Sequence, residues 1–359
     1  MRSVATVMIA LALGPSLLRA GEEQPYLLRI EDAKGSYSIP FIQSDRTLEV
    51  RVDFQDAAAT AAAVRLLRAG QSVAEHPVSP AAPVAKFPDL APGEYALDIQ
   101  VTDRAGKELY RIRHNRIGIG TVLAAIGDSI TEGYHGHGFW RDDLELRAEH
   151  FPPAAVSHDG RNFPQFAPTT AWHKPDINCF QSWMTDLNNS LTDTWKQPVY
   201  IANEGWGGIT TGAYLQMMRA DAGWQTRMKR LAPRLWLIHL GVNDERAKVP
   251  AATVSANLNA IVDLLIKEYQ AASERILVCR PCYDYADGAK EILQTYIAEI
   301  DRLVAARGLR LGPDFFAAYA TEKERWYGAD PVHPNIEGVE YMARLWHDAI
   351  CRAFPTPPR

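Results

Sequence analysis

The segment "LAAIGDSITEG", residues 123–133, runs from an apolar stretch directly into Gly127, Asp128 and Ser129. Glycine, aspartate and serine all favour turns, so the triplet by itself predicts only the end of a buried strand. In open α/β sheets, however, the active crevice lies outside the carboxyl ends of the strands, and Ser129 follows such an end. The rest of the chain has to distinguish a turn serine from a nucleophile.

From residue 121 to about 354, short apolar runs alternate with longer segments of helical spacing. The apolar runs are "TVLAAI", "VYIAN", "RLWLIHL" and "RILVC". One of the helical segments, "TVSANLNAIVDLLIKEY", places five apolar residues on one face: Val254, Leu258, Ile261, Val262 and Leu265. This alternation predicts an α/β domain with a parallel sheet covered on both faces. Ser129 and Asn243 each follow a predicted strand, and Asn203 stands at the end of one.

Residues 25–118 show a different period. In "TLEVRVDF" and "EYALDIQVTD" every second residue is apolar, which is the pattern of half-buried antiparallel strands. Turn clusters separate the runs at short intervals, and together these features predict a smaller all-β sandwich domain. "LAPGEYALDI" resembles the corner of immunoglobulin-like domains in which a tyrosine, here Tyr95, bonds back to the backbone. The region has no cysteine, so we expect no inter-sheet disulfide.

Residues 1–20 have the features of a secretory signal peptide: Arg2, then the apolar stretch "VATVMIALALGPSLL", then Ala20. The stretch is short and is broken by Gly14 and Pro15, which argues against a membrane-spanning helix. No later segment is apolar enough to span a membrane either. We therefore expect the mature protein to be exported to a periplasm or to the outside.

Composition limits the partners further. The 359 residues carry a net charge of -5 without a block of Lys and Arg, so nucleic acid is excluded as an expected partner. The chain has four cysteines, none of them before residue 179: Cys179, Cys279, Cys282 and Cys351. "CRPC" has the spacing of half a zinc site, but no second pair accompanies it, so we expect free thiols or one disulfide and no metal.

Three further blocks follow the Gly-Asp-Ser triplet. "NEGWGGIT" comes after "VYIAN", "GVND" after "RLWLIHL", and "DPVHP" just before the last helical segment. Together the blocks contain the parts that acyl transfer requires: a nucleophile, a base, a group that orients the base, and donors for an oxyanion. Ser129 is the candidate nucleophile, His333 the base and Asp330 the orienting carboxylate. The candidate donors are the Ser129 N–H, a backbone N–H in the glycine pair 207–208, and the Asn243 amide.

In these four blocks the chain resembles the SGNH hydrolases, the GDSL-type esterase and lipase superfamily. The resemblance covers residues 121–354 and implies a flavodoxin-like three-layer α/β/α fold that hydrolyses esters without a cofactor. It implies Ser129, Asp330 and His333 as a catalytic triad. It also implies Ser129, Gly208 and Asn243 as the oxyanion donors; Gly208 is chosen over Gly207 because Asn203 aligns with the asparagine that often opens this block.

About seventy residues separate Ser129 from the glycine block, far more than one helix needs, and long insertions beside an α/β crevice are usually functional. The candidate substrate-binding residues lie in this insertion and in the blocks: Asp128, His135, His137, Trp140, Trp172, Asn203 and Trp206. Asp128 is also expected to organise the backbone of its turn. The two histidines lack a carboxylate or cysteine partner at ligand spacing, so no metal is expected there.

The sequence therefore predicts an exported serine esterase that removes acetyl or another short acyl group from a carbohydrate or other small ester. Three alternatives remain open. A lipase or thioesterase would act on longer acyl chains, and the same acyl-enzyme could transfer its acyl group to a sugar. In the third, the protein would be a non-catalytic glycan-binding protein whose active module is the sandwich.

Overall fold

The computed structural model describes residues 6–10, 29–32, 35–38, 41–43, 46–54, 56–134, 182–328 and 330–358. The chain divides into two compact units, the first formed mainly by residues up to Thr121 and the second mainly by residues from Val122 onward. Within the described ranges no helix combines the length and the apolar character that crossing a membrane requires.

The first unit consists of β-strands. Their bounds are Thr6–Ala10 (β1), Arg29–Asp32 (β2), Gly35–Ser38 (β3), Phe41–Gln43 (β4), Leu48–Asp53 (β5), Ala61–Arg68 (β6), Gln71–Val78 (β7), Val84–Phe87 (β8), Gly93–Thr102 (β9) and Glu108–Ile119 (β10). They form a five-stranded sheet in the order β4-β10-β9-β6-β7 and a three-stranded sheet in the order β1-β5-β8, and β2 pairs with β3.

The core of the first unit lies between the two larger sheets. In β9 every second residue is buried, and Leu97, Ile99 and Val101 pack in one cluster with Val50 and Val52 of β5. The period of two in the sequence therefore reflects one face in the core and one face in solvent. The Tyr95 hydroxyl donates to the Ala91 carbonyl at 2.8 Å, which is the backbone tie expected at this corner. The predicted β-sandwich is confirmed.

Strand β1 lies inside the segment for which the sequence predicts a signal peptide. It pairs in parallel with β5, with Thr6 opposite Glu49 and Ala10 opposite Asp53. This pairing belongs to the uncleaved chain and does not bear on whether the segment is removed during export. Cleavage stays a prediction.

The second unit is built on strands Thr121–Gly127 (β11), Val199–Gly205 (β12), Leu235–His239 (β13), Ile276–Arg280 (β14) and Arg310–Asp314 (β15). The sheet order is β12-β11-β13-β14-β15, and the pairs β11–β13, β13–β14 and β14–β15 are parallel. Counted within this unit the order is 2-1-3-4-5, the flavodoxin-like arrangement.

Helices cover the sheet. Among the described residues the α-helices are Ser129–Glu132 (α1), Trp183–Trp195 (α2), Thr211–Ala220 (α3), Ala222–Leu231 (α4), Val242–Arg246 (α5), Ala251–Tyr269 (α6), Ala289–Arg307 (α7), Phe315–Tyr319 (α8), Lys323–Trp326 (α9) and Ile336–Ala353 (α10), with a 3₁₀ turn at Ser273–Arg275.

Every residue of β11, β12 and β13 is buried, as expected for strands covered on both faces. Helices α2 and α10 pack on each other through Trp183 and Trp346, whose rings stack with centroids 5.7 Å apart. The five apolar residues predicted on one face of α6 are all buried. Cys279, Cys282 and Cys351 are free thiols. The predicted α/β fold is confirmed.

Candidate active site

The turn after β11 fixes the position of Ser129. A Cβ on Gly127 would lie 2.0 Å from the Thr131 Oγ1 atom, so the chain can turn this tightly only with glycine at the strand end. The Asp128 carboxylate accepts the Ile130 N–H at 3.1 Å and caps α1. Ser129 is the first residue of that helix, beyond the carboxyl end of the strand.

Ser129, His333 and Asp330 form one hydrogen-bonded chain. The Ser129 Oγ atom lies 2.9 Å from His333 Nε2, and His333 Nδ1 lies 2.6 Å from Asp330 Oδ2. The other oxygen of Asp330 accepts the N–H groups of Val332 at 2.8 Å and His333 at 3.1 Å. The structure thus brings the three predicted triad residues together, although 204 positions separate the serine from the histidine.

Electrostatics fix the proton on the imidazole. Burial alone would raise the pKa of Asp330, but the hydrogen bond and charge of His333, with the two backbone N–H groups, lower this pKa to about 2. An ionised carboxylate can only accept, so it selects the tautomer with the proton on Nδ1. The lone pair on Nε2 then faces the Ser129 hydroxyl, as a general base requires.

An aromatic ring that the sequence analysis did not single out packs against this imidazole. The rings of Tyr134 and His333 have centroids 4.6 Å apart and are tilted by 58°. The Tyr134 N–H donates to the Ser129 carbonyl at 3.0 Å, so the nucleophile and the ring belong to one turn of chain. Tyr134 thereby restricts rotation of the imidazole. The only signal in the sequence was its place directly after "GDSITEG".

The glycine loop after β12 passes close to the nucleophile. The Trp206 N–H donates to the Gly127 carbonyl at 3.0 Å. A Cβ on Gly207 would lie 3.8 Å from the Ser129 Cβ and 2.7 Å from Glu132 Oε2, so a side chain at this position would be crowded. Gly208 has φ +75°, a left-handed conformation that favours glycine. Since Gly207 is the glycine that approaches Ser129, the assignment of the oxyanion donor to Gly208 stays a prediction.

Asn243 is held beside the same loop. It lies in the first turn of α5, is half-buried, and donates one amide N–H to the Ile209 carbonyl at 3.2 Å. Its neighbour Asp244 is buried and accepts the Thr211 N–H at 2.9 Å and hydroxyl at 2.6 Å. The two residues therefore tie α5 to the segment after the glycine pair. Because an amide nitrogen carries two hydrogens, Asn243 can still donate one to a ligand.

Two predicted substrate contacts are corrected. Asp128 and Asn203 are each only 1% exposed. The Asn203 amide donates to the Glu132 carbonyl at 3.1 Å, and its oxygen accepts the Gly205 N–H at 3.0 Å. Because both side chains are buried and bond to backbone groups, they fix the backbone beneath the site and do not contact a substrate.

The other predicted substrate-binding residues fall into two groups. Trp206 is half-buried in the glycine loop, and its backbone is bonded to Gly127, two residues before the nucleophile. His135, His137, Trp140 and Trp172 lie outside the described residues. Within the described ranges, no three His, Cys, Asp or Glu side chains are grouped so that they could hold a metal ion.

The buried Asp128 carboxylate lowers the free energy of unfolding, and this effect can be measured. Its Oδ2 atom is buried without a hydrogen-bond partner in the described part of the chain, and burial raises its pKa from 3.8 to about 6. The folded protein therefore holds this proton more tightly than the unfolded chain, and the ionised carboxylate destabilises the fold above pH 6. Asparagine keeps the helix cap without the charge. We expect Asp128→Asn to raise the free energy of unfolding at pH 8 by about 1–3 kcal/mol.

Urea denaturation at pH 8 and at pH 4.5 measures this effect. The gain should shrink toward pH 4.5, because protonation then removes the same charge from the native protein. Asp287→Asn is the matched control, since Asp287 is exposed. A variant that is no more stable than the native protein at pH 8 would show that the Asp128 charge is compensated.

A parallel α/β sheet with hydrogen-bonded serine, histidine and aspartate at its carboxyl edge is an arrangement of serine hydrolases. The sequence profile of the GDSL-like lipase/acylhydrolase family matches residues 125–341, which is more than half of the chain. The chain belongs to this family, as the resemblance of the four blocks predicts.

The chain is similar to several solved structures. A carbohydrate acetylesterase from Xanthomonas citri is 13% identical with a TM-score of 0.53; the match covers 87% of this chain and 72% of that chain. A lipase/acylhydrolase from Enterococcus faecalis is 17% identical with a TM-score of 0.44, over 67% of this chain and 99% of that chain. The psychrotrophic esterase EstA from Pseudoalteromonas sp. is 16% identical with a TM-score of 0.43, over 66% and 100%. No curated protein matches the chain significantly in sequence.

Proposed function

We propose that the protein is an exported serine esterase that removes acetyl or another short acyl group from a carbohydrate. The observation that carries the proposal is the continuous hydrogen-bonded path from the Ser129 hydroxyl through His333 to Asp330, at 2.9 and 2.6 Å. Ester hydrolysis is the chemistry of the family, and this path supplies its nucleophile and its base.

In the first half-reaction the Ser129 oxygen attacks the ester carbonyl carbon while His333 Nε2 takes the hydroxyl proton. The negative charge that develops on the carbonyl oxygen is stabilised by the Ser129 and Gly208 N–H groups and the Asn243 amide. Asp330 stabilises the imidazolium. The tetrahedral intermediate then collapses, the bond to the sugar oxygen breaks, and His333 returns the proton to the leaving alcohol.

The second half-reaction repeats these steps with water. His333 takes a proton from the water molecule, whose oxygen attacks the acyl-enzyme carbonyl carbon. Collapse of the second intermediate breaks the bond to Ser129, and the proton returns to the serine oxygen. The products are the free carboxylic acid and the original enzyme, so no cofactor is needed.

Three observations support a substrate that carries a short acyl group on a carbohydrate outside the cytoplasm. The signal-like N-terminus favours a substrate outside the cytoplasm. A β-sandwich accompanies the hydrolase unit. The carbohydrate acetylesterase from Xanthomonas citri matches over 87% of this chain.

The test is a screen for released acetate. Purified protein is incubated with acetylated polysaccharides and, in parallel, with esters of acetyl and long acyl chains, with Ser129→Ala as the blank. We expect release of acetate and a preference for acetyl over long acyl chains. A preference for long chains would favour a lipase or thioesterase. Appearance of acylated acceptor when a sugar is added would identify acyl transfer.

The oxyanion assignment gives a separate prediction. Removing one oxyanion donor costs about 10²–10³ in kcat in serine hydrolases. We expect a loss of that size from Asn243→Ala on a short-chain ester, with a much smaller change in KM, because the amide bonds the oxygen most strongly in the transition state. Asn189→Ala, at an exposed position in α2, is the matched control. A loss confined to KM would mean that Asn243 binds the substrate equally well in the ground state and in the transition state, and is not an oxyanion donor.

A further inference from the structure

The loop after β14, residues 281–285, carries two tyrosines that the catalytic steps do not use. Strand β14 is the neighbour of β13 in the sheet, so this loop leaves the same carboxyl edge that carries Ser129 and Asn243. Tyr283 and Tyr285 are both half-buried.

The loop is fixed to both sides of the catalytic site. The Tyr285 N–H donates to the Pro331 carbonyl at 3.2 Å, and Pro331 lies between Asp330 and His333 in the chain. On the other side, the buried Asp284 carboxylate accepts the Arg246 Nε–H at 3.2 Å, and Arg246 ends the short helix that begins beside Asn243. The tyrosine loop therefore bridges the segment of the base and the segment of an oxyanion donor.

The rings of Tyr283 and Tyr285 are fixed by packing and by a hydrogen bond. Their centroids are 4.7 Å apart with a tilt of 55°, and the Tyr283 ring also packs on Phe316 at 5.0 Å. The Tyr285 hydroxyl donates to the Tyr319 carbonyl at 2.7 Å, and the Lys323 ammonium lies 5.0 Å from the Tyr285 ring. The Tyr283 hydroxyl makes no hydrogen bond to another described residue. Tyr283 thus presents a fixed ring with an available hydroxyl.

This chemistry matches a sugar ring. A pyranose has an apolar C–H face and a rim of hydroxyl groups, and a partly exposed tyrosine offers an apolar face with a polar edge. A tyrosine side chain also loses little conformational entropy when a ligand binds to it. More of the favourable contact with the ligand therefore contributes to affinity. A long acyl chain would instead favour a surface without the Lys323 ammonium and the phenol hydroxyl at its border.

We propose that Tyr283 and Tyr285 form a subsite that binds a sugar ring adjacent to the ring that bears the ester. The inference rests on the proposed function, since it assigns the carbohydrate part of the same substrate. The Tyr285 N–H lies 3.2 Å from the Pro331 carbonyl, and Pro331 is two residues from His333, so the backbone of the loop lies within about 10 Å of the backbone of the base. The neighbouring sugar units of an oligosaccharide can bridge that distance.

The experiment compares one substrate that has neighbouring sugar rings with one that has none. Acetylated xylo-oligosaccharides and 4-nitrophenyl acetate are hydrolysed by the native protein, Tyr283→Ala and Tyr283→Phe. We expect Tyr283→Ala to lower kcat/KM for the oligosaccharide about tenfold more than for 4-nitrophenyl acetate, mainly through KM. Tyr283→Phe keeps the ring and should retain most of this ratio. Tyr110→Ala, a half-buried tyrosine of the first unit, should leave the ratio unchanged.

If Tyr283→Ala lowers kcat/KM equally for both substrates, or does not lower it for the oligosaccharide, the proposed subsite is wrong. Calorimetric binding of xylo-oligosaccharides to Ser129→Ala, with and without Tyr283→Ala, separates this outcome from failure of the proposed function. If the native protein hydrolyses no acetylated sugar, the proposed function is wrong. The subsite then stands only if oligosaccharide binding is measurable and weakens about tenfold with Tyr283→Ala. Absence of binding would refute it.

Discussion

Ser129→Ala is expected to lower kcat on a short-chain ester by at least about 10⁴-fold, to the level that the oxyanion donors and substrate binding alone can support. Without the hydroxyl no acyl-enzyme can form, and the His333 imidazole has no proton to accept. Ser129 lies at the first position of α1, and the cap of that helix comes from Asp128. The substitution should therefore leave the fold intact.

Steady-state rates and labelling with an organophosphonate measure this prediction together. The native protein should incorporate one phosphonyl group and Ser129→Ala none. Ser72→Ala, at an exposed position of β7, is the matched control and should be labelled like the native protein. Full esterase activity in Ser129→Ala would contradict the mechanism, and intact labelling would place the nucleophile on another serine.

Asp330→Asn is the second large effect, with an expected loss of about 10⁴-fold in kcat. The ionised Asp330 carboxylate can only accept, and it holds the His333 proton on Nδ1. An asparagine amide can donate to Nδ1, which favours the tautomer with the proton on Nε2, the atom that must receive the serine proton. The geometry is kept while the base is disabled.

The same variant has a pH signature. The pKa of Asp330 is about 2 in the folded protein, below the ordinary aspartate value of 3.8. The ionised carboxylate therefore stabilises the fold above pH 4, and this contribution is lost as the pH falls toward 2. Asp330→Asn should therefore lower the free energy of unfolding at pH 7 by about 1–2 kcal/mol and by less at pH 3. Urea denaturation at the two pH values measures it. Full kcat in this variant would mean that another group orients the base.

Local patterns in the chain were enough to predict the architecture. The period of two in residues 25–118 predicted the sandwich, because alternate residues of its strands face the core and the solvent. Apolar runs alternating with helical segments predicted the parallel sheet. The order of the four blocks predicted which residues meet at its edge, since the carboxyl ends of parallel strands lie together. The contact between Ser129 and His333 could be predicted for that reason, although it is distant in sequence.

Side-chain burial could not be predicted in the same way. The sequence predicts Asn203 at the end of a strand and Asn243 just after one, whereas in the structure Asn203 lies within β12. Nothing in the local pattern indicates that one amide bonds to the Glu132 and Gly205 backbone while the other stays half-exposed. Tyr134 and Tyr283 carry no motif at all. Their importance arises from packing against the His333 ring and on Phe316, at positions far apart in the chain.

The amino-acid sequence by itself determined the two folds, the family and the candidate catalytic residues, because periodicity and short motifs depend on neighbouring positions. The tertiary structure alone decided which polar side chains are buried beneath the site and which aromatic rings border it. Those properties depend on the direction in which each side chain leaves its loop, and that direction is set by contacts such as Asp284 with Arg246 that join distant segments only after folding.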